Sequence, residues 1–197
     1  MLIIDSDIDQ STRDVMVFFR DQVPFGFSRA LNTIAFEIRK DTVERVYPRD
    51  FEMRNRALPR RLFGVTKKAT KKDLHAEVGQ TLALDWVERQ ATGGTKTPRG
   101  NSIAIAPNPN AVRTGSGAIK KAFKPRNLKN AFKTSTAIMV RDTEGDLHKA
   151  YTLKQSVRIP KRFMFYEEAD MKASTIFSAA FDDALDYAIR SSRFFPA

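Results

Sequence analysis

His75 and His148 are the only imidazoles in this 197-residue chain, and it contains no cysteine. Without thiols there is no disulfide framework, thiolate metal site or cysteine nucleophile. Two histidines do not supply a multi-histidine metal site from one chain. His75 alternates with Glu77 on the polar face of an expected strand, and His148 opens another strand beside Asp146. Exposed strand positions account for both; a general base needs a substrate pocket within hydrogen-bond reach. Gly115-Ser116-Gly117 does not extend to a dinucleotide fingerprint, because Lys120 occupies the place of the third glycine and no βαβ context follows. Gly117-x-x-Lys120 lacks the glycine that directly precedes the lysine of a phosphate-binding loop. Glu167, Glu168 and Asp170 stand in the first turn of an expected helix, where carboxylates suit the helix dipole. No convergent set of polar groups proposes an enzyme, so the expectation is a non-enzymatic protein without cofactor or metal.

The charge carries more information. The formal net charge is +11, and it is concentrated in blocks. Arg54 to Lys72 holds eight basic residues and no acid, and Arg89 to Lys133 holds ten and no acid. The remainder of the chain has 16 basic and 23 acidic residues, so +18 in the blocks faces −7 elsewhere. Such blocks suit a polyanion, either nucleic-acid phosphates or the acidic face of another subunit. Arg60, Arg61, Lys67, Lys68, Lys71 and Lys72 form a first candidate contact surface. Lys120, Lys121, Lys124, Arg126, Lys129 and Lys133 form a second. Phe63, Phe123 and Phe132 are too few within the blocks for a base-stacking platform, so any nucleic acid would be met through phosphates without sequence readout.

The elements that must position these residues follow from periodicity and breakers. Ser11, with Asp14 three residues on, predicts a helix start, and Val23-Pro24-Phe25-Gly26 predicts an interruption of that helix. Ser28 is placed to cap a second helix over 28–46, whose stripe is Phe27, Leu31, Ile34, Ala35, Ile38 and Thr42. Arg29, Glu37, Arg39, Lys40, Glu44 and Arg45 lie on its other face. Pro48 and Pro59 bracket a short helix or turn. Residues 62–66 and 73–79 read as a strand pair around a 67–72 loop, and 82–88 as a short element around Trp86. Residues 90–133 hold four Gly/Pro-rich breaker clusters, with a short apolar run at 103–106 and a basic helix near 118–132. That segment is expected to be an extended arm that becomes ordered against a neighbour. Strands are expected at 135–140 and 147–153 around the turn Asp142-Thr143-Glu144-Gly145-Asp146, with Pro160 closing the sheet. A final helix is expected over 167–191, with Phe177, Ala180, Phe181, Ala184, Leu185, Ala188 and Ile189 on its apolar face. The expected class is α+β, with an antiparallel sheet packed by two long helices in one domain over 1–197 that includes the 90–133 arm. No apolar run approaches the roughly 20 residues of a membrane span, and the acidic start Met1-Leu2-Ile3-Ile4-Asp5 does not read as a targeting segment.

This order of features resembles the minor tail protein Z-like family of tailed bacteriophages, which are tail-completion or neck proteins. The resemblance rests on Val23-Pro24 leading into a helix with Ala30-Leu31-Asn32, and on the basic stretch Arg54 to Arg61 before a strand pair. It rests also on Thr92-Gly93-Gly94-Thr95 with Thr97-Pro98-Arg99-Gly100, and on Val157-Arg158-Ile159-Pro160 before the last helix. The 101–133 arm is more irregular than the family pattern, and the last helix is acidic where some relatives are basic. The resemblance implies a virion protein, made in the host cytoplasm, that acts in tail completion and head–tail joining. Copies would associate in a ring around the DNA channel, against the connector, tail terminator or tail tube, with double-stranded DNA met through phosphates. Three other readings compete with it. They are a tail terminator ring protein, a nucleic-acid-binding protein outside any virion that uses 54–72 and 89–133, and a small enzyme with a site at His75 or Glu77.

Overall fold

The computed structural model describes residues 8–53, 55–82, 84–108, 111–115 and 117–191. In chain order the elements are α1 (Ile8–Asp41), a π-helical turn (Thr42–Val46), α2 (Tyr47–Asp50), α3 (Leu58–Leu62), β1 (Phe63–Lys67) and β2 (Glu77–Gln80). There follow α4 (Asp85–Thr92), β3 (Gly94–Lys96), β4 (Ile103–Ile105), β5 (Ala131–Lys133), β6 (Ala137–Arg141), β7 (Leu147–Lys154), β8 (Val157–Ile159) and α5 (Phe165–Arg190). Every strand pairing is antiparallel, and the class is α+β. The elements group into two compact units, one drawn from Met1–Phe51, Ala57–Leu84 and Met164–Ala197, the other from Glu52–Arg56 and Asp85–Phe163. The two long helices pack on each other in the first unit together with the β1–β2 hairpin, and the four-stranded sheet belongs to the second.

In the first unit α1 runs straight through Pro24, where the sequence predicts a break. A proline in a helix interior costs about 3 kcal/mol through its missing N–H and a clash with the preceding turn. The compensation is tertiary. Gly26 is buried against α5, and a Cβ built on it would lie 3.6 Å from the Ala184 carbonyl oxygen and 3.7 Å from the Ala188 Cβ. Phe27 packs on Phe181 with ring centroids 4.6 Å apart, and Phe25 on Tyr187 at 6.2 Å. Ser28, expected as an N-cap, is instead inside the helix, where its buried hydroxyl donates to the Phe25 carbonyl at 2.8 Å. Ser11 likewise falls within α1; its side chain and that of Asp14 lie outside the described set, as does the apolar start before Ile8.

The helix pair is antiparallel, since α1 meets the end of α5 near Phe25 and its continuation meets the start of α5. There Glu168 accepts from Arg45 at 2.7 Å and also from Arg49. Arg45 also donates two bonds to Asp41, both 2.7 Å, and Arg49 donates to Asp50 at 2.7 Å. Asp50 in turn accepts the Met164 backbone N–H at 3.0 Å, which satisfies one of the orphan donors at the start of α5. Val46, Tyr47, Leu62 and Phe63 are buried beside this clasp, with Phe63 stacked on Phe165. Arg39 donates to the carbonyls of Phe63 (3.1 Å) and Arg60 (3.4 Å), which ties α3 and β1 to α1. Toward its N-terminus α1 leaves Val15, Met16 and Phe19 exposed, Met16 by 66%.

The second unit contains the four-stranded sheet β4-β7-β6-β5 and the pair β3-β8. The β6–β7 hairpin and its turn match the sequence reading. The Asp142 carboxylate accepts from the backbone N–H groups of Glu144 (3.0 Å) and Asp146 (2.8 Å), and Gly145 takes the left-handed φ of +95° that the turn requires. Pro160 follows the end of β8 as expected.

The 90–133 segment departs from the expected arm. Residues 94–96, 103–105 and 131–133 are strands that pair with β8, β7 and β6 of the same unit. Arg113 and Ile119 form an isolated antiparallel bridge. Two short 3-10 turns, Lys121–Phe123 and Pro125–Asn127, replace the expected basic helix. The buried Tyr151 hydroxyl donates to the Phe123 carbonyl. The segment thus takes shape against its own sheet, because β6 and β7 offer edge hydrogen bonds that single-sequence periodicity does not display.

Two outcomes follow from the helix pair. Gly26→Leu is expected to destabilise the protein by about 1–3 kcal/mol through overpacking against Ala184 and Ala188, read as a lowered midpoint in urea unfolding followed by circular dichroism. The second concerns acid. Hydrogen bonds from Arg45 lower the Asp41 pKa, and those from Arg49 and Arg45 lower that of Glu168. Burial works to raise Asp50, but Arg49 and the Met164 N–H outweigh it, and the net direction is down. A depressed carboxylate contributes stability that is complete above its unfolded pKa and lost as pH falls through the folded value. The thermal midpoint is therefore expected to hold from neutral pH down to the ordinary carboxylate range and to fall below it, and Glu168→Gln should flatten that fall.

Candidate polyanion-binding surface

The first set of predicted cations is gathered by α1. Asn32, on the exposed side of α1, donates its amide N–H to the Ala69 carbonyl and accepts the Ala69 N–H, both at 2.9 Å. This pair of hydrogen bonds pins the loop between β1 and β2 across the helix. Thr70 and Asp73 close the loop with reciprocal backbone bonds of 2.8 and 3.2 Å. Ala69 is buried while Lys68, Lys71 and Lys72 on either side of it are exposed. Lys68 Nζ stands 5.5 Å above the Phe36 ring and Lys71 Nζ 5.0 Å above the Phe25 ring. Arg29, from the same helix, lies over Tyr187 of α5 with its guanidinium carbon 4.0 Å from the ring centre. A cleft of about 410 Å³ is lined by Phe25, Ser28, Arg29, Asn32, Thr33 and Phe36, none of them acidic. Arg60 and Arg61 are exposed on α3, and their backbone carbonyls are engaged by Arg39 and Thr81.

The second set lies on the 120–133 stretch of the other unit. Lys120 donates to the Ala111 carbonyl at 3.2 Å and stands 5.9 Å above Phe123. Lys121, Arg126, Lys129 and Lys133 are exposed and Lys124 is half-buried. Of the twelve predicted cations, only Lys67 has a carboxylate partner among the described residues, Asp73 at 2.9 Å. That pair raises the Lys67 pKa and lowers that of Asp73, in each case chiefly through the side-chain hydrogen bond between them.

The weaker chemical candidates fall apart spatially. His75 lies outside β2, exposed, 3.5 Å from Glu77. His148 bonds to Asp142 at 2.7 Å as part of the hairpin turn rather than to Asp146. Of the acidic residues at the start of α5, Glu168 is held by two arginines. Among the described residues no group of three potential metal ligands occurs, and no helix is long and apolar enough to cross a membrane. Compared with known proteins, the chain matches no protein-family model, no curated protein and no solved structure, so the surface is read from its own chemistry.

Sequence reasoning missed Arg29, Asn32, Phe25 and Phe36. The signal was present: positions 25, 29, 32 and 36 recur at intervals of four, three and four, which is one helix face. The expected break at Pro24 separated Phe25 from that face. Asn32→Ala is expected to release the loop, with the Ala69 amide exchanging its hydrogen at least about tenfold faster, as for a lost pair of part-buried hydrogen bonds. Hydrogen-exchange mass spectrometry over 64–74 checks this, and exchange across the α1–α5 pair should be unchanged.

Proposed function

We propose that this chain is a non-enzymatic structural subunit of a tailed-phage virion, of the tail-completion or neck type. In this reading it assembles with copies of itself around the DNA channel and joins the tail to the head, against the connector, tail terminator or tail tube. The observation that carries the reading is the state of its cations. Among the described residues, exposed lysines and arginines on both units stand without carboxylate partners, so the chain keeps positive charge that a polyanion or an acidic neighbour would neutralise. The exposed apolar residues near the start of α1 add a surface that association would cover. Heterologous contacts of this kind close into rings when the rotation permits.

A nucleic-acid-binding protein outside any virion would use the same cations. It differs in predicting that the chain is absent from purified particles. Cryo-electron microscopy and mass spectrometry of those particles decide between them, and a particle without copies of this chain ends the structural reading. Reversal of Lys120, Lys121, Lys124 and Lys129 to Glu is expected to lower particle yield by about tenfold or more, from loss of several charge contacts. The monomer's thermal midpoint should move by no more than a few degrees, as for exposed sites. Unaltered yield and infectivity would count against the assembly role of this segment.

A further inference from the structure

We infer that Arg29, Lys68 and Lys71 form a preorganised line of charge that receives the phosphodiester backbone of a nucleic acid. The inference deepens the proposed function, on which its biological setting rests, by naming the surface and the ligand chemistry. The first unit holds its cations in two different ways. Arg45, Arg49 and Lys67 are paired to carboxylates, so their charge is spent inside the fold. Arg29, Lys68 and Lys71 are instead laid on the faces of Tyr187, Phe36 and Phe25. An aromatic face attracts a cation through its quadrupole and cancels none of its charge. The result is positional order without an ion pair to any of the three among the described residues.

The spacing fits an extended polyanion. Phe25 and Phe36 share one face of α1 and are eleven residues apart, so the positions of the rings that carry the two lysines are about 16 Å apart along the axis. Arg29 falls between them. Phosphates of one strand of duplex DNA advance about 3.4 Å each along the axis while winding around it, so a backbone segment seated on this face presents a few phosphates to the three cations. The cleft beneath it contributes Thr33 and no acid. The acidic cluster of this chain itself, Asp182, Asp183 and Asp186, covers only about 6 Å of helix and matches the line less well. Asp183 and Asp186 share an adjoining recess with Arg29, Tyr187 and Arg190 without forming an ion pair to Arg29. They border the line on one side, and the phosphate path therefore runs on the Lys68 and Lys71 side of α1.

The test uses the purified full-length protein and a fluorescent duplex of about 25 base pairs, with anisotropy read from about 50 to 200 mM salt. The wild type is expected to bind with affinity that falls steeply with salt. Arg29→Gln/Lys68→Gln/Lys71→Gln should bind about tenfold or more weakly at the lowest salt, and its log–log salt slope should be shallower by about 2.7, the value for three lost phosphate contacts. Phe36→Leu keeps every charge, and a loss of about twofold or more is expected from the disordered Lys68. A triple variant with unchanged affinity and slope overturns the assignment, as does wild-type protein that ignores duplex and binds polyglutamate. Either result with the chain present in particles overturns this site and leaves the assembly reading standing; DNA binding by a chain absent from particles does the reverse.

Discussion

The close approach of α1 and α5 at Gly26 is the constraint on which the first unit depends. There a Cβ on α1 would stand at van der Waals distance from the backbone of α5, and the aromatic pairs Phe27–Phe181 and Phe25–Tyr187 lock in beside it. At the far end of the pair, the arginines of the α1 continuation grip Glu168, and Asp50 caps the first turn of α5. Shape fixes one end of the helix pair and charge the other. The helix can therefore tolerate Pro24, since the apolar contacts that follow it are larger than the hydrogen bond it removes.

That pairing also decides what the cations can do. By presenting Asn32 on the side of α1 away from its buried stripe, it gives the β1–β2 loop a fixed seat at Ala69. By bringing Tyr187 up to Arg29, it orients a guanidinium without neutralising it. Surface lysines ordinarily lose several rotamers when they bind an anion. Here part of that ordering is already in place before a partner arrives, so a polyanion would meet a surface with less left to arrange.

The middle of the chain shows how breaker residues mislead. Glycines and prolines between 93 and 117 announce irregular backbone, and Gly93, Gly94 and Gly117 do take positive φ. They do not announce independence. Three-residue strands carry too few alternating positions to stand out as period-two patterns, yet each finds an edge on β6, β7 or β8. The long elements were legible for the opposite reason. The apolar stripe of α5, buried at Ala184 and Ala188 although Phe177 at its start is exposed, and the turn Asp142–Asp146 each repeat one local rule enough times, or with the right residues, to be recognised without a partner.

The sequence by itself determined the composition of the surface: two acid-free basic blocks, two strong helical stripes, a hairpin and an α+β class. Those are properties of residue type and spacing along the chain, and they survive any arrangement in space. Tertiary structure alone decided that α1 would pass through Val23-Pro24-Phe25-Gly26, that the basic middle would join its own sheet, and which cations would be left uncancelled. Each of those outcomes depends on a contact between residues distant in the chain, Gly26 with Ala184, Tyr151 with Phe123, Lys68 with Phe36. Local propensity contains no term for such contacts, and their burial and charge energies outweigh it.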